Sequence, residues 1–137
     1  MEIYHITSPE EMIELWSKLV NSGYRKFGIV GELGAGKTHF SKGVALALGI
    51  DQDKVHSPTY VYFHEYEDKL LHIDMYRMTD KFQIIKIGLQ EKLEDYDYWC
   101  IEWPHMDWLD TVDMLAIKIE IDRSNPTQRI VIVESAS

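Results

Sequence analysis

Cysteine, proline and glycine are scarce in this chain of 137 residues, and each scarcity excludes a class of protein. The single cysteine, Cys100, cannot form an internal disulfide. Its apolar neighbours predict a buried, reduced thiol in a core strand rather than a catalytic nucleophile. With only 8 glycines and 4 prolines, the chain is neither collagenous nor of low complexity. We therefore expect an ordinary globular protein.

Long apolar runs are also missing. No uninterrupted apolar segment reaches the roughly 18 residues that a membrane span needs. The N-terminal residues Met1–His5 lack the basic and then apolar regions of a signal peptide. We therefore expect a cytoplasmic protein with no membrane association.

Positive charge is the third shortage. Lysine and arginine total 14 against 23 acidic residues, so the formal net charge is −9. Nucleic-acid affinity comes largely from cations that displace phosphate counterions. Tight direct binding of DNA or RNA is therefore not expected, although a local basic patch is compatible with this balance.

The pattern of apolar residues predicts one α/β domain over 1–137, because strands and helices are mixed and no repeat or linker interrupts them. Ser8 predicts the N-cap of a first helix, with Pro9 at its first position and Glu11 as the capping-box partner. Apolar and polar residues alternate near the C-terminus, which predicts an antiparallel hairpin. The predicted elements are a helix from Ser8 to Asn21–Gly23, a strand Lys26–Val30, a helix Lys37–Leu48, strands Tyr60–Tyr66 and Leu70–Asp74, a helical region Asp80–Tyr96 broken at Gly88, and strands Tyr98–Trp103, Leu115–Ile121 and Arg129–Glu134.

The segment Gly31–Thr38 satisfies the phosphate-binding pattern G-x-x-x-x-G-K-[ST], and it lies between a strand and a helix as that pattern requires. Glycines let the backbone curl so that successive N–H groups face phosphate oxygens, and the helix N-terminus adds its positive dipole end. Lys37 would reach the β- and γ-phosphates, and the Thr38 hydroxyl would hold Mg²⁺. The residues predicted to form this phosphate-binding loop, the P-loop, are Gly31, Glu32, Leu33, Gly34, Ala35, Gly36, Lys37 and Thr38.

Two acidic residues terminate later apolar strands. Asp74 ends one of them and Glu102 ends the next. If both strands run parallel to the strand before the P-loop, both carboxylates emerge at the phosphate-binding edge of the sheet. Asp74 is then a candidate second anchor for Mg²⁺, and Glu102 could orient or deprotonate water or reach the metal through its hydration shell. The alternatives are an aspartate that only caps a turn and an exposed glutamate at a strand end.

Two further motifs allow more than one interpretation. His72 stands two residues before Asp74, so both side chains share a strand face and could bind a metal. A buried or hydrogen-bonded His72 is nevertheless favoured, because the other histidines show no ligand spacing. The hydroxyl-rich segment Ser57–Tyr60 could cover the γ-phosphate and Mg²⁺ as a switch segment does, or it could be an ordinary proline turn.

Taken together, these blocks resemble the TsaE (YjeE) family of P-loop ATPases, which act in bacterial tRNA threonylcarbamoyladenosine synthesis. The resemblance runs from the P-loop to the end of the chain. It rests on four blocks in this order and spacing: Gly31–Thr38, Ser57–Tyr60, His72–Arg77 (His-Ile-Asp-Met-Tyr-Arg) and Ile101–Pro104. Arg129 also matches an arginine that is common before the last strand of this family.

The resemblance implies a P-loop NTPase-like fold, with a mixed, mostly parallel sheet flanked by helices and with MgATP at the P-loop. It also implies a TsaD–TsaB heterodimer as partner, whose repeated turnover the ATP cycle supports. The residues that it implies are His39 and Trp103 beside the nucleotide, Lys37 and Glu102 as catalytic, Thr38, Asp74 and Glu102 at the metal, and Ser57 and Thr59 as switch-like.

Two other functions fit the P-loop. A small-metabolite or nucleoside kinase would share it, but kinases usually add a lid with arginines, and Met75–Tyr96 contains only Arg77. A non-catalytic module, in which bound nucleotide sets the affinity for a partner, would also share it. No N-K-x-D guanine-reading motif appears in the chain, which favours ATP over GTP.

Overall fold

A computed structural model of the chain describes residues 1–31, 37–51, 63–104 and 114–135. None of the helices in these ranges is long and apolar enough to cross a membrane. The elements are β1 Glu2–Ile6, α1 Pro9–Asn21, β2 Lys26–Gly31, α2 Lys37–Ala47, β3 Phe63–Tyr66, β4 Leu70–Asp74, α3 Lys81–Lys86, α4 Leu89–Asp95, β5 Tyr98–Glu102, β6 Leu115–Ile121 and β7 Arg129–Ser135.

The described strands form one seven-stranded sheet in the order β1-β7-β6-β2-β5-β4-β3. Parallel pairing joins the four central strands, β6, β2, β5 and β4. Antiparallel pairs lie at both edges, where β3 pairs with β4 and where β1, β7 and β6 pair in turn. The prediction of a mixed sheet with a C-terminal hairpin is confirmed. Short connections explain the antiparallel pairs β3–β4 and β6–β7, because a parallel pair needs a long crossover.

Most of the predicted elements are confirmed where the chain is described. Ser8 caps α1 by accepting from the Glu11 N–H at 3.2 Å, whereas the Glu11 carboxylate accepts from the Thr7 N–H rather than returning to Ser8. Gly88, with a φ of 68°, separates α3 from α4. The predicted strand Tyr60–Tyr66 is described only as β3, since 52–62 lie outside the described residues. Strand β1 is missing from the prediction.

Hydrophobic clusters cover both faces of the sheet. Leu70 and Cys100 join α1 and α2 in one cluster, while their neighbours Leu71 and Ile101 join α3 and α4 in the other. This alternation follows from the two-residue period of β4 and β5. Cys100 is fully buried, and burial raises the pKa of its thiol, so the prediction of a buried cysteine is confirmed.

The first prediction concerns the close approach of α1 and α2 at Gly43. A Cβ there would lie 2.6 Å from the carbonyl oxygen of Ile13 and 2.7 Å from Trp16 Cβ. Alanine gains about 1 kcal/mol of helix propensity, but a clash with backbone outweighs this gain. We expect Gly43→Ala to lower the free energy of unfolding by about 1–3 kcal/mol in urea titrations. Leu46→Ala, on an exposed part of α2, serves as the control, and a more stable Gly43→Ala would contradict the prediction.

The second prediction concerns alkaline pH and Tyr96. Burial raises the pKa of Tyr96 from 10.0 to about 12, and the hydrogen bond that its hydroxyl donates to Glu65 Oε1 (3.0 Å) adds to this effect. Such a contribution to stability is complete below the unfolded pKa and is lost as the pH rises toward the folded one. Between about pH 9 and about pH 12, wild type should lose about 2 kcal/mol more free energy of unfolding than Tyr96→Phe. Equal losses in urea titrations would contradict this assignment.

Candidate functional site

The carboxyl ends of three neighbouring strands meet at one edge of the sheet. Glu102, the last residue of β5, lies opposite Asp74 in β4 and opposite Ile29 in β2. Two residues after Ile29, Gly31 ends β2, and the P-loop segment follows it. The prediction that Asp74 and Glu102 share the edge at which the P-loop begins is therefore confirmed.

Glu102 is buried rather than exposed at this edge, with 3% of its surface accessible. Its Oε2 lies 2.6 Å from Nε2 of His72, which is fully buried. The same His72 nitrogen lies 3.2 Å from the hydroxyl of Ser41 in α2. The alternative of an exposed strand-end glutamate is therefore wrong, and His72 is buried and hydrogen-bonded as the sequence favoured.

The hydrogen bond from His72 determines where the Glu102 carboxylate points. Since a carboxylate is an acceptor, the short contact assigns a proton to Nε2 of the ring. The other ring nitrogen, Nδ1, is buried and has no hydrogen-bond partner in the described part of the chain. Among the described residues, Glu102 and Ser41 therefore contact His72 through the same ring nitrogen, Nε2.

Asp74 has the turn-capping role that the sequence left open. It is half-buried, and its Oδ1 accepts from the Tyr76 N–H at 2.9 Å, which closes a turn directly after β4. The Met75 N–H donates to the Glu102 carbonyl at 3.0 Å and ties this turn to β5. A carboxylate can accept this bond at one oxygen and still ligate a metal through the other. The turn-capping interpretation is confirmed, and the metal-binding one stays a prediction.

Trp103 follows Glu102 with a backbone conformation that is rare for a residue with a side chain. Its φ is +54°, and its N–H donates to the Ile29 carbonyl at 2.7 Å. Such conformations cost free energy and cluster at functional sites. Its ring packs against Tyr76, with the ring centroids 5.5 Å apart. Trp103 also lines a cavity of about 420 Å³ together with Gly31, Lys118 and Arg123.

The remaining candidates divide into those that the structure describes and those outside it. His39 is half-buried in the first turn of α2. Arg129 donates from its guanidinium to the carbonyls of Pro126 (2.7 Å) and Gln128 (3.0 Å), so it stabilises the turn before β7. The candidates outside the described residues are Glu32, Leu33, Gly34, Ala35, Gly36, Ser57 and Thr59, together with the side chains of Lys37 and Thr38.

Sequence reasoning missed Ser41. The sequence indicated this residue only by its position, about one helical turn after Thr38 on the helix that follows the P-loop. A serine inside an amphipathic helix is unremarkable by itself, and only the packing of α2 against the sheet reveals its contact with His72.

The third prediction tests the contact between His72 and Glu102. His72→Phe leaves a buried carboxylate without its donor, so the free energy of unfolding should fall by about 2–4 kcal/mol. Glu102→Leu in the same background should recover part of this loss. A double-mutant cycle by urea unfolding should then give a coupling energy of at least about 1 kcal/mol. His5→Phe, at an exposed position of β1, serves as the control, and additive effects of the two substitutions would exclude the contact.

Comparisons with known proteins show which family the chain resembles. The model of a protein family described as threonylcarbamoyl adenosine biosynthesis protein TsaE matches residues 6–131. The tRNA threonylcarbamoyladenosine biosynthesis protein TsaE of Bacillus subtilis is 43% identical over 79 residues, which are 56% of this chain and 48% of that protein. The protein of the same name from Treponema pallidum is 41% identical over 75 residues, 53% of this chain and 55% of the relative. These matches thus span about half the length of the two relatives.

Two longer matches cover nearly the whole chain. The TsaE protein of Rickettsia felis is 26% identical over an alignment of 138 positions, which covers 96% of this chain and 80% of that protein. The crystal structure of Bacillus subtilis YdiB has the same fold, with a TM-score of 0.76, 28% identity, and coverage of 99% of this chain and 86% of that one. Since the family model spans most of the chain, the chain belongs to the TsaE family.

Proposed function

We propose that this protein binds MgATP and hydrolyses it as an accessory component of tRNA threonylcarbamoyladenosine synthesis. One observation carries the proposal. The strand that leads into a complete P-loop motif pairs with β5, which ends in Glu102, and β5 pairs in turn with β4, which ends in Asp74. Glu102 is buried and is oriented by His72. Family membership and the printed names of the relatives support the assignment to this biosynthesis.

Different residues of the chain would bind the nucleotide and activate the water molecule. The P-loop backbone and Lys37 would bind the phosphates of ATP. Glu102, held by His72, would orient a water molecule or accept its proton. A carboxylate in this position suits the task because its acceptor atoms are fixed before substrate arrives.

The residues at this edge also fit a magnesium ion. Mg²⁺ prefers oxygen ligands from one or two carboxylates together with the phosphates of the nucleotide. Asp74 and Glu102 would supply the carboxylates, and Thr38 would supply a hydroxyl from the P-loop. When bound, the ion would neutralise charge on the phosphates. Asp74 and Glu102 are register partners in neighbouring strands, which supports their assignment to the same metal ion.

The charge of the chain supports an accessory role beside a TsaD–TsaB heterodimer. A formal net charge of −9 opposes tight binding of tRNA by this protein alone. We infer that partners hold the tRNA and transfer the threonylcarbamoyl group, while this protein supplies the ATP cycle. In this scheme it acts in the cytoplasm, where the tRNA is modified.

The pairing of Glu102 with His72 also favours a second candidate. Because this carboxylate is already hydrogen-bonded inside the protein, the site is compatible with slow hydrolysis or none. The protein would then be a module whose ATP-bound state sets its affinity for a partner. Transfer of phosphate to an added acceptor instead of to water would point to a kinase.

The fourth prediction separates these functions through Glu102→Ala. We expect ATP hydrolysis in the presence of TsaD–TsaB to fall by roughly 10²-fold or more, because the carboxylate next to the attacking water is lost. Binding of a fluorescent ATP analogue with Mg²⁺ should be retained, because the P-loop residues are unchanged. Glu134→Ala, at an exposed position of β7, provides the matched control.

Each outcome of this experiment decides between the functions. Stimulation of TsaD–TsaB turnover that survives in Glu102→Ala would favour the non-catalytic module. A wild-type protein that binds no ATP analogue and leaves TsaD–TsaB turnover unchanged would refute the proposed function.

A further inference from the structure

Three large apolar side chains are exposed in one short stretch of the chain, 76–85. The accessible fractions are 66% for Tyr76, 78% for Phe82 and 65% for Ile85. Phe82 and Ile85 stand three residues apart on α3, so they lie on the same side of that helix. Isolated exposed apolar residues are normal, whereas apolar side chains that are exposed together are typical of an interaction site.

Helix α3 is apolar on two sides. Ile84 is buried in the cluster that contains Leu89 of α4, so one side of α3 belongs to the core of the protein. Phe82 and Ile85 place apolar surface on another side, which faces solvent. The remaining side chains of α3 are polar, so the exposed pair is a small apolar area rimmed by polar residues. An exposed apolar area with a polar rim is typical of an interaction site.

The charged side chains around this surface are mostly positive, whereas the net charge of the protein is negative. Arg77, Lys81 and Lys86 are exposed in or beside α3, on a chain whose formal net charge is −9. The one carboxylate among them, Asp80, accepts from the Gln83 N–H at 3.2 Å and caps the helix. The surface therefore complements apolar groups that are bordered by carboxylates.

We propose that Tyr76, Phe82 and Ile85, bordered by Lys81 and Lys86, form a docking surface for a partner protein with an acidic rim around an apolar groove. Phe82 and Ile85 would enter the groove as a pair of helix anchors, as amphipathic helices do in other complexes. The lysines would face the acidic rim and accelerate association. This α3 surface rests on the proposed function only in that the partner is taken to be the TsaD–TsaB heterodimer.

The α3 surface is directly connected to the candidate site. The Tyr76 ring packs against Trp103, the residue after Glu102. The Tyr76 N–H donates to the Asp74 carboxylate, and the neighbouring Met75 N–H donates to the Glu102 carbonyl. A partner seated on Tyr76 therefore touches the turn that links both site carboxylates, which gives docking a physical route to the nucleotide.

A protein partner fits this surface better than RNA does. Single-stranded nucleic acid is bound by aromatic stacking and by a continuous positive groove. Ile85 is aliphatic and offers no stacking face, and the net charge of the chain repels a polyanion. Aromatic and aliphatic anchors surrounded by charges are instead the usual composition of a protein interface.

The fifth prediction is a binding measurement with purified TsaD–TsaB heterodimer as the probe. Phe82→Ala/Ile85→Ala should raise the Kd at least roughly tenfold, since truncated anchors dominate the loss of affinity at interfaces. Lys81→Glu/Lys86→Glu should also raise the Kd, chiefly by slowing association at low salt. Binding of a fluorescent ATP analogue and the unfolding midpoint should not change. Leu46→Ala, an exposed apolar position on α2 with 47% accessibility, should bind the heterodimer as wild type does.

The possible results distinguish this proposal from the proposed function. Wild type that binds the heterodimer, together with α3 variants that bind equally well, would overturn the docking surface alone. Weaker tRNA binding or loss of a homodimer in the α3 variants, with the heterodimer still bound normally, would show that the occupant is RNA or a second copy and would also overturn it. Wild type that does not bind the heterodimer would overturn both.

Discussion

Parallel pairing of β4 and β5 beside β2 is the constraint on which the candidate site depends. In a parallel ladder the strands end at the same edge, so a carboxylate at the last position of β4 meets one at the last position of β5. A slip of one residue would turn Asp74 and His72 to the other face of the sheet. Alternate residues of β4 are buried in different clusters on the two faces, and a slip would remove the contacts of His72 with Glu102 and Ser41.

The core beneath the candidate site contains the buried polar residues Ser41, His72 and Glu102. Moving an unpaired carboxylate or imidazole out of water costs several kcal/mol, and a buried pair is tolerated when each member satisfies the other. His72 Nε2 and the Glu102 carboxylate satisfy each other in this way, and Ser41 joins them from α2. The close contact of α1 with Gly43, two residues further along α2, holds this helix against the same core. Helix packing and the orientation of a site carboxylate are therefore linked.

Strong local signals explain which parts of the fold could be predicted. The alternation of β6 matches its burial, because Leu115, Ile117 and Ile119 enter the core while Ala116 and Lys118 between them face outward. The capping serine and the glycine break between α3 and α4 act within a few residues, so they too can be read from sequence. Strand β1 was missed because it is a short, largely exposed edge strand. Its identity as a strand depends on pairing with β7, at the other end of the chain.

The sequence by itself determined the P-loop motif, the two strand-ending acids and the resemblance to a family, because these depend on residue type and spacing along the chain. Only the tertiary structure decided that His72 contacts Glu102 and Ser41, which lie 30 and 31 residues away from it. It also decided that Ile84 enters the core while Phe82 and Ile85 face outward. The physical reason is the same in both cases. Periodicity shows that a segment has an apolar face, but contact and burial depend on which surface packs against it.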